Sequence, residues 1–175
     1  GNLSHADPAS EMPAVMLALD ARFTLRSARG ERVIAAQDFF LAPLTTALAA
    51  DEMLAEIRIP PLPVRSTTAF LEFARRRGDY AMCGVAAVVT RDEGGRCAAA
   101  RLAFLGAGPT PVLAPRAAAM LIGTMLDKAA IEAAAALARE EVDPLGGVHA
   151  SPAYQRHLAG VLATRALVRA AERAA

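Results

Sequence analysis

Cys83–Gly108 reads CGVAAVVTRDEGGRCAAARLAFLGAG. Two runs rich in Val, Ala and Leu flank Asp92-Glu93-Gly94-Gly95. Such a tetrad predicts a hairpin turn, because glycine reaches the left-handed backbone that tight turns require. The two runs are therefore expected to pair antiparallel. Upstream, Thr67–Arg77 (TTAFLEFARRR) is a third strand candidate, and its short connection predicts that it lies beside the first. Downstream the pattern turns helical. Strands followed by helices is the order of an α+β fold, not of an alternating parallel one.

The helical signals agree with one another. Leu113–Gly123 (LAPRAAAMLIG) stops at a glycine, a natural C-cap. Asp127 opens a helix with Ile131, Ala134, Ala138 and Val142 on one stripe. Ser151 and Pro152 supply a cap and a first-turn proline for a last helix. Its apolar face is read as Tyr154, Leu158, Val161, Leu162 and Val168.

The N-terminal part reads differently. Asp7-Pro8 predicts one short helical turn, and Pro13 a second helix start running through Ala14–Ala21. Arg22–Ser27 alternates, with Phe23 and Leu25 on one face, and Gly30 turns it into a partner strand through Val33 and Ile34. Ala36–Phe40 reads as a helical turn and Met53–Pro60 as a strand. Pro60, Pro61 and Pro63 then stiffen the chain into an extended connection. The predicted division is 1–60, a linker at 61–66, and 67–175 with three antiparallel strands and a three-helix bundle. The second unit is expected to fold on its own.

Composition narrows the function. In a chain of 175 residues, 19 basic and 18 acidic side chains leave a net charge of +1, which offers no field for nucleic acid or an anionic membrane. Cys83 and Cys97 are the only cysteines and form no C-x-x-C, so zinc and iron–sulfur ligand sets are excluded. Buried free thiols of a reducing compartment are the reading they support. No apolar run reaches the roughly 20 residues a membrane span needs.

Four stretches bear on chemistry. Gly106–Pro111 (GAGPTP) lacks the third glycine of a dinucleotide fingerprint, and its prolines lack amide donors, so it reads as a proline-locked strand-to-helix turn. His5, His149 and His157 are scattered, with no metal or nucleophile spacing. Ala74–Ala81 (ARRRGDYA), read as strand, sends Arg75 and Arg77 to one face and Arg76 to the other. It is either a solvated strand end paired with Asp79 or an edge facing an anionic or aromatic ligand beside Tyr80. Gly1–Pro8 (GNLSHADP) is a Gly-led turn entering a helix, whose free amides favour anions.

Taken in order, these stretches resemble a known family. GNLSHADPASEMPAVMLALDA (Gly1–Ala21) is similar to the second flavin-binding segment of the medium, FAD-carrying subunits of molybdenum hydroxylases, the carbon monoxide dehydrogenase and xanthine dehydrogenase-like enzymes. FFLAPLTTALAADEMLAEIRIP (Phe39–Pro60) resembles the segment closing the flavin domain. FLEFARRRGDYAMCGVAAVV, GAGPTPVLAPRAA and SPAYQRHLAGVLATRALVRA resemble its C-terminal domain. The resemblance implies a chain truncated at its N-terminus, holding the second part of the FAD-binding domain and retaining little FAD by itself.

It also implies roles for residues. Gly1, Asn2 and Leu3 would offer backbone amides to FAD, and Asp7 would bind ribityl or ribose hydroxyls. Leu54, Asp79 and Tyr80 would lie at the isoalloxazine, with Tyr80 against its face. Glu72 stands where many relatives carry a lysine, so no cationic ring contact is expected from it. No catalytic acid or base and no metal ligand is expected. The implied subunit passes electrons from 2Fe-2S clusters on a small partner subunit to an external acceptor. The molybdenum cofactor sits on a large partner subunit, and the assembly is a dimer of heterotrimers in the cytoplasm or at the inner face of the membrane. The alternative is a docking module of such a complex that binds no flavin.

Overall fold

The computed structural model describes residues 1–173. The chain opens with one helical turn, α1 (Asn2–His5), which Ala6 ends in the left-handed conformation at φ 54°. Asp7-Pro8 starts no helix. The Asp7 carboxylate instead accepts the Ala9 amide at 2.8 Å, closing an Asx-type turn. Helix α2 (Glu11–Ala18), with Ser10 at its N-cap, begins two residues before the expected start at Pro13. Pro13 fits inside its first turn, where an amide has no carbonyl to reach.

Strands β1 (Arg22–Ser27) and β2 (Gly30–Ala35) form the expected hairpin. Helical turn α3 (Ala36–Phe39) leads to β3 (Phe40–Ala42) and β4 (Thr45–Thr46), a ladder too short for any sequence period to announce. Strand β5 (Met53–Arg58) returns to pair with β1, giving the order β2-β1-β5. Phe23 and Leu25 are fully buried as expected, but Thr24 between them is buried too, so burial does not alternate along β1. Phe39 packs edge-on against Phe23 and Phe40, with centroids 4.9 and 5.1 Å apart.

The second sheet is antiparallel throughout. Its strands are β6 (Ser66–Phe73), β7 (Cys83–Arg91), β8 (Cys97–Leu105) and β9 (Val112–Leu113), in that order. Gly95, at φ 79°, makes the β7–β8 turn. The two-residue β9 adds a fourth strand just after the Gly106–Pro111 turn, where Leu113 was expected to open the helical stretch. Strand β6 stops at Phe73, so Arg75–Arg77 lie in a loop and not on alternating faces of a strand. Gly78 at φ 87° breaks the extended path there, and the Met82 amide closes the loop on the Phe73 carbonyl at 2.8 Å.

Helices α4 (Pro115–Leu121), α5 (Lys128–Glu141) and α6 (Pro152–Arg173) follow. Asp127 caps α5 by accepting the Ala130 amide at 2.9 Å, and the stripe from Ile131 to Val142 is buried as expected. The expected face of α6 is only partly correct. Leu158 and Leu162 are buried, but Tyr154 and Val168 are 41% and 39% exposed, and Val161 is half-buried. The buried line runs instead through Gln155, Ala159, Ala163, Ala166 and Ala170. Small side chains there bring the helix close to the sheet, and the larger apolar ones flank it.

The second sheet is covered on both sides. Val85, Ala87, Val89, Leu102 and Phe104 face the helices. Ala86, Val88, Ala103 and Leu105 face α2 and share a core with Leu17, Phe23 and Phe39. This explains why β7 reads as a continuous apolar run without alternation. The N-terminal elements are thus a layer on the back of this sheet.

Candidate functional site

One cleft collects chemistry from both parts of the chain. Asp7, Pro8 and Ala9 form one wall, Tyr80 to Met82 a second, and the Leu145–Ala150 loop a third, around about 340 Å³. Gly106, Gly108 and Gln155 complete the lining. A larger hollow, about 450 Å³, lies between β8 and α4, but alanines make up half of its wall and it gathers no set of reactive groups.

Each wall has a local cause. The Asx-type turn uses Oδ1 of Asp7, which leaves Oδ2 without a hydrogen-bond partner among the described residues. The turn is tied to β8 by the Gly106 amide, which donates to the Pro8 carbonyl at 2.8 Å. Gly106 sits at φ 62°, and a Cβ there would lie 2.7 Å from the Met82 carbonyl oxygen, so only glycine fits. Tyr80 stands beyond these anchors with 74% of its surface exposed, an unusual position for a large aromatic ring.

Gln155 joins the remaining segments. Its Nε2 donates to the carbonyls of Met82 and Gly106, both at 2.9 Å. Its Oε1 accepts the Gly146 amide at 3.0 Å. Gly146, at φ 75°, starts the loop that the Gly147 amide closes on the Ala150 carbonyl at 2.9 Å. Sequence reasoning missed Gln155, although one signal was available. A lone polar residue occupies the helical line of Ala159, Leu162, Ala163 and Ala166.

Asp7 and Tyr80 are the expected site residues that the fold brings together. Gly1, Asn2, Leu3, Leu54 and Asp79 do not line this cleft. The amides of Asn2 and Leu3 begin α1 and so have no carbonyl one turn back. The Leu3 side chain is buried in the core on which Leu54 also packs. The Asn2 side chain accepts the Ser10 hydroxyl at 2.9 Å. Asp79 turns to Arg76 and Arg75, at 3.4 and 3.7 Å. Glu72 is a carboxyl and adds no cation; burial and repulsion from Glu11 raise its pKa.

Reactive groups are sparse. Burial pushes the Cys83 thiol up to about 12 and raises that of Cys97, so neither is a ready nucleophile. Among the described residues, no group of three His, Cys, Asp or Glu side chains is placed to hold a metal ion. No helix among them is long and apolar enough to cross a membrane.

Residues 68–170 match the family of the CO dehydrogenase flavoprotein C-terminal domain, and residues 1–62 match the FAD binding domain in molybdopterin dehydrogenase. The chain belongs to the CO dehydrogenase flavoprotein family. It is 40% identical to the 6-hydroxypseudooxynicotine dehydrogenase complex subunit alpha of Paenarthrobacter nicotinovorans, covering 99% of this chain and 59% of that one. It is 37% identical to the carbon monoxide dehydrogenase medium chain of Afipia carboxidovorans, over 99% and 60% of the two chains. The solved structure of reconstituted CO dehydrogenase from Oligotropha carboxidovorans superposes with a TM-score of 0.94 at 36% identity, again over 99% and 60%. The chain thus spans about 60% of the length of the curated relatives it matches.

For a member of the flavoprotein family the cleft has the makings of a binding site. It offers an exposed aromatic face, one carboxylate with a free oxygen, and glycine-lined backbone. Its volume lies near the lower end of the range for small-molecule pockets, roughly 300–1,000 Å³.

Proposed function

We propose that this chain is part of an FAD-carrying electron-transfer subunit of a molybdenum hydroxylase. The observation that carries the reading is the single cleft shared by Asp7 and Tyr80, which come from the regions matching the two flavoprotein families. The division follows the sequence: 1–60 as part of the FAD-binding domain, 61–66 as linker, 67–175 as the flavoprotein C-terminal domain.

The residues divide the task. Tyr80 offers its ring to the isoalloxazine, and Oδ2 of Asp7 accepts from ribityl or ribose hydroxyls. The amides of Gly1, Asn2 and Leu3 extend the contact toward the diphosphate, with Leu54 and Asp79 nearer the ring. Bound there, FAD would supply the redox chemistry that links the clusters to an external acceptor. The protein's part is to orient the ring and exclude water. Electrons enter from 2Fe-2S clusters on a small partner subunit, fed by a molybdenum cofactor on a large one. The complex is a dimer of such heterotrimers in the cytoplasm or at the inner face of the membrane.

Asp7→Asn tests this reading in the native complex. It keeps the acceptor for Ala9 and removes the charge. Lower flavin content at unchanged Tm supports the assignment. A wild-type complex that carries no flavin in this subunit would favour the docking-module reading.

A further inference from the structure

We infer that Gln155 is the positioning residue of this cleft, setting the distance between the Asp7 wall and the Tyr80 wall. The inference rests on the flavin reading above.

Gln155 is 9% exposed and sits where α6 is otherwise lined by alanine and leucine. A buried primary amide is costly unless its donors and acceptor are used. Here Nε2 makes two hydrogen bonds and Oε1 makes one, all to backbone groups. The three partners belong to three different segments of the cleft. Met82 ends the Tyr80 loop. Gly106 directly follows β8 and passes the constraint on, because its amide holds the Pro8 carbonyl beside Asp7. Gly146 begins the third wall. A helix needing only packing would carry an apolar side chain here. An amide of this length supplies donors and an acceptor at one point, which backbone segments in three orientations require. Gln155 touches neither the Asp7 carboxylate nor the Tyr80 ring, so its effect on a ligand is exerted through their backbones.

The test compares Gln155→Leu, which loses all three bonds at similar volume, with Gln155→Glu, which keeps the acceptor and loses both donors. Leu158→Ala, on the same helix and buried in the core, controls for general stability. Each is made in the native complex. The expected result for Gln155→Leu is FAD binding weakened about tenfold or more per folded molecule, with a shifted flavin visible band. Amide exchange should quicken across residues 79–82 and 145–150. Gln155→Glu should weaken FAD binding to a similar degree but keep the Gly146 amide protected. Leu158→Ala should lower Tm with the FAD affinity and spectrum of wild type. Gln155→Leu with a lower Tm but wild-type FAD affinity, spectrum and exchange would overturn the inference alone. A wild-type complex that binds no flavin would overturn the underlying reading, and this inference with it.

Discussion

Arg32 grips Glu52 through two parallel hydrogen bonds of 2.7 Å, and one arm of the same guanidinium also donates to the Ala47 carbonyl. The fork ties β2 to the segment that leads into β5. The Arg32 hydrogen bonds, then the Ala49 amide, hold the Glu52 carboxyl at about 2, well below its ordinary value. A depressed carboxyl stabilises the fold above its unfolded pKa and loses that contribution as pH falls toward the folded one. The Tm of wild type should therefore exceed that of Glu52→Gln at neutral pH. The gap should close between about pH 4.5 and 2. A gap that stays constant over that window would remove the fork's role.

Gly106→Ala should be destabilising out of proportion to one methyl group. The left-handed conformation alone costs roughly 1–2 kcal/mol for a residue with a Cβ. The contact with the Met82 oxygen adds to it, because backbone is the obstacle and no side chain can swing away. Denaturant midpoints of wild type and variant measure the loss, and flavin content should fall in parallel. A variant of unchanged midpoint would show that this loop relaxes freely.

Tyr80→Ala separates binding from stability, because the ring is already mostly outside the fold. Stacked aromatic pairs contribute about 0.5–1.5 kcal/mol beyond area. The FAD dissociation constant of the native complex should rise about 2- to 13-fold while Tm stays within about half a kcal/mol equivalent of wild type. Tyr80→Phe should retain most of the affinity. Equal FAD affinity in wild type and Tyr80→Ala would exclude a stacked ring.

A chain beginning at Thr67 leaves the back of the second sheet bare. Val88 and Leu105 would return to water, at about 1.5–3 kcal/mol for each large side chain. Together that is about 3–6 kcal/mol, a large share of a domain stability of roughly 5–15 kcal/mol. The shortened chain should unfold at a markedly lower denaturant concentration and bind a hydrophobic dye. A midpoint equal to that of the 175-residue chain would mean that residues 1–60 contribute nothing to this sheet.

Much of the fold was legible because local chemistry and tertiary packing agree. The Asp92–Gly95 hairpin, the Asp127 cap and the stripe from Ile131 to Val142 each rest on signals within a few residues. What escaped depends on distant partners. The line of Ala159 and Ala163 is buried by the closeness of the sheet, which hydrophobicity does not report. The Arg75–Arg77 loop looked extended because nothing local shows that β6 ends at Phe73. The site divides in the same way. Asp7 and Tyr80 were named from a family resemblance. That they share a cleft depends on Gly106 and Gln155, whose roles exist only once four segments have met.

Neighbouring residues of β8 belong to different interiors: Phe104 to the helical side and Leu105 to the side of α2. Inserting or deleting one residue in that strand would exchange the two and spoil both interiors at once. The same arrangement limits what recombination can join. A hybrid taking residues 1–60 from this chain and the remainder from a relative must match at 86, 88, 103 and 105. The two halves therefore have to be exchanged as a matched lock.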